Sequence, residues 1–343
     1  MKTNIGLALS LVVVAIVLWR QPAQTAQDSG ALTAVKVDKA PVLDGKIDEA
    51  WKKAKEIKTS LIGGANLPKG GTEVSLKAVY TATEVYFLAQ WRDPTQSTQR
   101  EPWKKQADGT WVELIDPADK GGDNNKYYED KFAMLWNINI AGFEAAGCMV
   151  ACHAGEAGKP YGNKYTANAG ELGDIWHWKS VRMGPVGQID DQYLDNTRYD
   201  KDKTPNAGRK SDPKTGAGGY VENVSDDKKG PKFAAKGNKA APPYWILDQE
   251  KEAIDTSKYK AGQEVPGIII SPFAGDRGDI SARANWSNGV WTLEISRKLK
   301  TGSQYDVQFD DLSKEYAFGV AVFDNAQVRH AFATQPNKLV FQK

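Results

Sequence analysis

Two cysteines and three histidines are all the thiol and imidazole side chains in this 343-residue chain, and three of the five stand together. The stretch reads Gly147-Cys148-Met149-Val150-Ala151-Cys152-His153-Ala154-Gly155. Two cysteines followed directly by a histidine is the order that tethers a haem. The thiols add to the haem vinyl groups, and the adjacent imidazole reaches the iron from the same side. The usual spacing is C-x-x-C-H; here it is C-x-x-x-C-H. The extra residue must bulge, which the small neighbours Ala151 and Ala154 permit. Other chemistries use the same side chains. Cys148 and Cys152 can pair as a disulfide in an oxidising compartment. Zinc on Cys148, Cys152 and His153 needs a fourth ligand from elsewhere. Nucleophilic cysteine chemistry has less support, because nothing nearby completes a triad.

A low-spin electron-transfer haem takes a second axial ligand opposite His153. The chain offers His177, His330, Met134, Met149 and Met183. His177 lies in Asp174-Ile175-Trp176-His177-Trp178-Lys179. There Trp176 and Trp178 offer a dry wall, and Lys179 or Arg182 offers a cation for a haem propionate. His330 lies in Val328-Arg329-His330-Ala331-Phe332, with Arg329 as another propionate partner. Either histidine alone also reads as an ordinary hydrogen-bonded structural residue.

The elements that must hold these residues read as strands. Val74, Leu76, Ala78 and Tyr80 alternate with polar neighbours, as do Val85, Phe87, Ala89 and Trp91, and a short turn around Thr83 makes them a hairpin. Residues 290–296 and 316–323 repeat the period of two, and residues 338–342 form a closing strand. Helical periodicity is confined to the N-terminus and a short helix predicted over residues 47–57, with Asp44 as its cap. Hydrophobic residues make up 41% of the chain and charged residues 26%, with 32 Gly, 16 Pro, 11 Trp and 13 Tyr. This suits a mainly β protein, a two-sheet sandwich, better than a helical bundle. A formal charge of +2 gives no footprint for nucleic acid.

Lys2, the apolar run 5–19 and the closing Arg20 read as an export signal or an N-terminal membrane anchor, over residues 1–26. Ala23, Thr25 and Ala26 come near a cleavage site, so both outcomes stay open. Either way the remainder is expected in the periplasm, touching membrane only through this segment. Residues 33–343 are read as one haem-binding sandwich. Residues 196–243, dense in Lys, Asp, Gly and Pro and poor in aliphatics, are read as a polar surface insertion, either a loop or an arm that wraps a partner subunit.

Several stretches resemble one family. Residues 41–51 (Pro-Val-Leu-Asp-Gly-Lys-Ile-Asp-Glu-Ala-Trp), 129–136 (Glu-Asp-Lys-Phe-Ala-Met-Leu-Trp), the W-x-W-K element at 176–179, and the strands at 289–297 and 318–324 occur in the order of the haem-binding domain of the ethylbenzene dehydrogenase gamma-subunit family. That family comprises haem subunits of type II enzymes of the dimethyl sulfoxide reductase superfamily, including nitrite oxidoreductase gamma-like subunits. The opening stretch is also similar to family 9-like carbohydrate-binding sandwiches. The resemblance implies an immunoglobulin-like β-sandwich holding haem among loops at one end. In the b-type members a methionine before the W-x-W-K element and a lysine near the last strand ligate the iron. Here Met149 falls near the first position but inside the cysteine motif, and His330 near the second. The resemblance therefore implies a c-type variant in which His153 and His330 take those places, with His177 as the alternative distal ligand.

The expected function is an exported cytochrome with one covalent haem c, carrying electrons rather than turning over substrate. Its partner is a periplasmic molybdoenzyme, an iron–sulfur subunit or another cytochrome. A second, non-covalent haem stays open, though ligands for it are scarce. Two alternatives remain: a carbohydrate-binding module, which would use the aromatics as sugar platforms, and a redox enzyme with an empty sixth haem position.

Overall fold

The period-two segments fold as strands, and their pairing decides which faces are buried. The computed structural model describes residues 31–119, 122–155 and 163–343. The expected export segment, residues 1–26, lies outside them; among the described residues no helix is long and apolar enough to cross a membrane.

Strands β1 (Leu32–Lys36), β2 (Ile57–Leu61), β3 (Thr72–Tyr80) and β4 (Glu84–Arg92) open the main sheet. The chain leaves it for β5 (Trp103–Lys105) and β6 (Trp111–Glu113). It returns as β7 (Lys131–Asn137), β8 (Gly173–Lys179), β9 (Asp190–Leu194) and β10 (Arg209–Ser211). A second excursion makes β11 (Gly219–Glu222), β12 (Phe233–Ala235), β13 (Ile246–Leu247), β14 (Lys251–Ala253), β15 (Glu264–Val265) and β16 (Ile268–Ser271). Strands β17 (Ser281–Ser287), β18 (Val290–Lys298), β19 (Tyr316–Phe323), β20 (Ala331–Phe332) and β21 (Asn337–Phe341) complete it. The main order is β10-β9-β8-β7-β19-β21-β1-β3-β4-β18-β17, with β2 on β3 and β20 on β19. All its pairs are antiparallel except those of β1, which runs parallel to β21 and β3.

The two halves of this sheet fold face to face. Phe87 of β4 meets Trp136 of β7 and Trp176 of β8 at ring centroids of 5.5 and 5.6 Å. Trp91 of β4 meets Phe132 at 5.4 Å and Trp178 at 6.3 Å. The architecture is thus the mainly β sandwich that the alternation predicts. Alternation also fixes what lies outside: Phe132, Met134 and Trp136 point into the core, while Leu135 packs with Ile175 of β8 and Ala317 of β19 on the outer face.

Two local readings change. The predicted helix over 47–57 is one 3₁₀ segment, Glu49–Lys53, and its cap is Asp48, whose carboxylate accepts from Ala50 N. Asp44 instead accepts from Lys46 N inside a turn. The motif is tied to the sheet through buried Glu294 of β18, which accepts from Trp51 Nε1 at 2.9 Å and from the backbone of Asp44 and Gly45. Residues 196–243 supply β10, β11 and β12. Their lobe takes its apolar core mostly from flanking sequence, Trp103, Tyr259 and Val265 around Ala234. Buried Asn223 serves as a polar pin, donating to Phe233 O and Pro266 O at 2.9 and 2.8 Å and accepting from Phe233 N.

Asp93, Asp130 and Asp324, each beside a core strand end, bring carboxylate oxygens within 4.8 Å of one another. Burial, then the Asp324 charge, pushes Asp93 up to about 7. Burial, then Asp93, raises Asp130. A carboxyl with a raised native pKa binds its proton more tightly when folded. Its contribution is therefore present near pH 4 and is lost as pH rises through about 7. A shift of about 3 units sets a ceiling of roughly 4 kcal/mol. Asp93→Asn is uncharged and keeps an acceptor for Thr95 N. Its urea-unfolding free energy relative to wild type is expected to improve by about 2 kcal/mol or more between about pH 4.5 and pH 7.5. An offset that stays constant with pH would contradict this assignment.

Candidate functional site

The cysteine motif sits on the outer face of β7, β8 and β19. A four-residue helix, Phe143–Ala146, leads into a 3₁₀ turn over Gly147–Val150. Gly147 is needed at their junction: its φ is +55°, and a Cβ there would meet the backbone of Pro336 at 3.1 Å. Cys148 O accepts from both Ala151 N (3.2 Å) and His153 N (2.9 Å), so the five-residue bridge closes on itself. The extra residue is absorbed at Ala151, which takes φ −131°, ψ −99° and is buried against the apolar cluster of Leu135, Phe143 and Ile175.

Cys148 and Cys152 are free thiols, half-buried on that cluster. Burial pushes both thiols up, Cys152 to about 11 and Cys148 further. They are therefore protonated at neutral pH. That weakens the nucleophile reading, which requires thiolate. Among the described residues, no group of three or more His, Cys, Asp or Glu ligand atoms close enough to share a metal ion includes Cys148, Cys152 or His153.

Room for Cys148 comes from Gly319, in the middle of β19. A Cβ on Gly319 would overlap the Cys148 sulfur. A glycine inside a strand is the sequence signal for such a close approach. Gly319→Ala is expected to destabilise the chain by roughly 1–3 kcal/mol, because the thiol must move. Chemical denaturation measures the effect, and a wild-type value would remove Gly319 from the site.

His153 and His330 face each other across the motif. Their Nε2 atoms are 3.1 Å apart, with ring planes at 66°. His153 stacks on Phe332 at 3.8 Å, and Phe323 lies 4.7 Å from His330. His330 Nδ1 is 3.0 Å from Val328 O, so Nδ1 carries the proton and donates, leaving the Nε2 lone pair aimed at His153. Burial depresses both imidazoles, His153 to about 4 and His330 to about 3, so both are neutral at pH 7.

Other sequence candidates are not brought to this cluster. His177 is on the outer face of β8 but stacks on Phe323, at 5.5 Å, with Nδ1 3.3 Å from Gln192 Oε1. Trp176 and Trp178 point into the sandwich core, because adjacent strand residues face opposite ways. They form no wall beside the motif. Met134 and Met183 are in the same core, and Met149 is 41% exposed. Lys179 is committed to Asp190 and Arg182 to Glu129, both buried pairs, and Arg329 pairs with Asp123 at 2.5 Å. Local sequence gave no hint of Lys164 and Arg209, the cations whose fields reach Cys152.

The model of the family described as "Ethylbenzene dehydrogenase" matches residues 48–334. Endo-1,4-beta-xylanase A of Thermotoga maritima is 29% identical over 107 residues, 31% of this chain and 9% of that protein. Its Thermotoga neapolitana counterpart is 28% identical over the same length, 10% of the protein. The chain thus spans about a tenth of these relatives. Among solved structures, a family 9 carbohydrate-binding module from Caldicellulosiruptor kristjanssonii is similar in complexes with glucose and with cellotriose. Sequence identity is 10% and 11%, with TM-scores of 0.32 and 0.34, over 91% of this chain and 94% of that one. The family match runs through the cysteine motif, Gly319 and His330, and on that match the chain belongs to the ethylbenzene dehydrogenase family.

Proposed function

We propose that this chain is an exported c-type electron-transfer protein with one haem on Cys148 and Cys152. In this reading it is the gamma-like subunit of a periplasmic molybdenum oxidoreductase, or its redox partner. One observation carries it: two neutral imidazoles, 177 residues apart in sequence, aim Nε2 at Nε2 beside two free thiols. His153 and His330 would hold the iron, their Nε2 atoms, now 3.1 Å apart, parting to admit it.

The residue types also support this reading. Protonated thiols on an apolar bed suit thioether formation, and uncharged imidazoles suit iron ligation. When bound, the haem supplies one-electron chemistry. The Val328 carbonyl fixes the His330 tautomer, Phe332 and Phe323 hold the two rings, and Leu135, Ile175 and Ala317 keep water from the sulfurs. Lys164 and Arg209 favour negative groups on that side, either propionates or an acidic partner surface. A second haem would have only His177 left among the histidines. The partner is a molybdoenzyme, an iron–sulfur subunit or a cytochrome; any membrane contact runs through the N-terminal segment.

A carbohydrate-binding role is the competing reading, suggested by the relatives' names. Against it, every described tryptophan is buried or half-buried, and Tyr199 is the one exposed aromatic among the described residues. The test is a visible spectrum of protein made with haem-attachment machinery. Sharp reduced α and β bands that survive acid–acetone extraction support the proposal. A colourless chain that binds cellulose or xylan overturns it.

A further inference from the structure

A second cluster of ionisable groups lies at the seam where the two ends of the main sheet meet. Ile189 N bonds Ile280 O at 3.0 Å and Ala282 N bonds Gly187 O at 3.0 Å, joining the β9 end to the β17 end. Four segments place carboxylates there: Asp191 in β9, Asp212 just after β10, Asp279 just before β17 and Asp306 in the loop between β18 and β19. Oxygens of Asp191, Asp279 and Asp306 lie within 4.8 Å of one another.

These carboxylates are not balanced. Asp191, Asp212 and Asp306 are at most 3% exposed. Both oxygens of Asp212 and of Asp306, Oδ2 of Asp191 and Oδ1 of Asp279 have no hydrogen-bond donor. Among the described residues Arg297 is the one cation in ion-pair reach, and it is shared: Nη1 is 3.0 Å from Asp174 Oδ2 and 3.8 Å from Asp306 Oδ2. Asp174 Oδ2 is also satisfied by Val307 N and Trp176 Nε1, so Asp174 anchors the arginine. Asp212, against Asp306, is the independent pointer. It is buried, belongs to neither the triad nor the arginine pair, and meets the Asp306 carboxyl with no donor at either of its own oxygens. Uncompensated buried charge is costly, so such oxygens are kept for a ligand or held protonated. The Asp93–Asp130–Asp324 triad differs: both Asp130 oxygens and one oxygen each of Asp93 and Asp324 already accept hydrogen bonds.

We propose that Asp191, Asp279 and Asp306, backed by Asp212, bind a hard divalent cation of the calcium class that staples the sheet seam. All donors are oxygens, which selects Ca²⁺-like ions over softer metals. Several carboxylates on separate flexible connections suit calcium's loose coordination better than magnesium's strict octahedron. Partly exposed Asp279 marks the entry side. The expected affinity is that of extracellular modules, about 0.1–1 mM.

The experiment is calorimetric and thermal titration of the full-length, chelator-stripped protein with CaCl₂ to roughly 10 mM. Wild type is expected to give saturable heat and a Tm rise of about 5 °C or more, with a weaker response to MgCl₂. Asp306→Asn should lose at least tenfold in affinity. Without calcium it should unfold no earlier than wild type, since a repulsive charge is gone. Asp279→Asn, at the rim, gives the same readout with the buried groups intact. Asp93→Asn should bind calcium as wild type does. No saturable heat, a Tm shift reproduced by ionic-strength-matched NaCl, or loss of binding in Asp93→Asn but not in Asp306→Asn or Asp279→Asn overturns the proposal.

Discussion

Replacing both cysteines, Cys148→Ser with Cys152→Ser, is expected to abolish covalent haem altogether. Protein from a host able to attach haem should then have the mass of the bare polypeptide, while wild type carries the additional mass of one haem. The effect is all-or-none because no other cysteine exists in the chain to form a thioether. Single variants should retain one bond and an intermediate resistance to extraction. Packing argues that the two bonds contribute unequally: Cys148 sits against Gly319 on the sheet, while Cys152 lies nearer the Lys164 and Arg209 charges. The double variant keeps His153 and His330, so any haem in that sample is expected to be loosely held and extractable. Wild-type protein whose mass equals the bare polypeptide, with Cys148 and Cys152 joined to each other, would end the cytochrome reading.

The second large effect concerns the sixth ligand. His330→Ala should convert the spectrum from low-spin to high-spin, with broadened visible bands and a new capacity to bind cyanide or carbon monoxide. His177→Ala should leave the spectrum low-spin. The difference follows from placement on one sheet face. His330 Nε2 is 3.1 Å from His153 Nε2, whereas the His177 ring is screened from it by Phe323. Electron paramagnetic resonance of the oxidised protein reads the two spin states directly. A high-spin signal in His177→Ala and a low-spin one in His330→Ala would reverse the assignment. A low-spin signal in both would hand the position to a methionine or an outside ligand.

Much of the fold was legible because strand patterning is local. The alternation in residues 74–80 and 85–91 predicted the β3–β4 hairpin, and residues 316–323 coincide with β19. The same rule denies His177 a wall of Trp176 and Trp178: side chains next to it must face away from it. Asp48 caps instead of the predicted Asp44, although both precede a short helical run. Which one caps depends on where Glu294 of a distant strand pins the motif. Lys179 and Arg182 read locally as free cations, but the fold sets Asp190 and Glu129 against them.

By itself, the order of amino acids determined the Cys148–Cys152–His153 bridge, the mainly β class and the short list of ligands, since each depends on residues within a few positions or on simple counts. Tertiary structure alone decided that His330 meets His153, that Gly319 leaves space for a sulfur, and that four aspartates converge on the sheet seam. The reason is physical. A period of two tells which residues share a face, but which strands become neighbours is set by burial of the whole apolar surface, and that is a property of the entire chain at once.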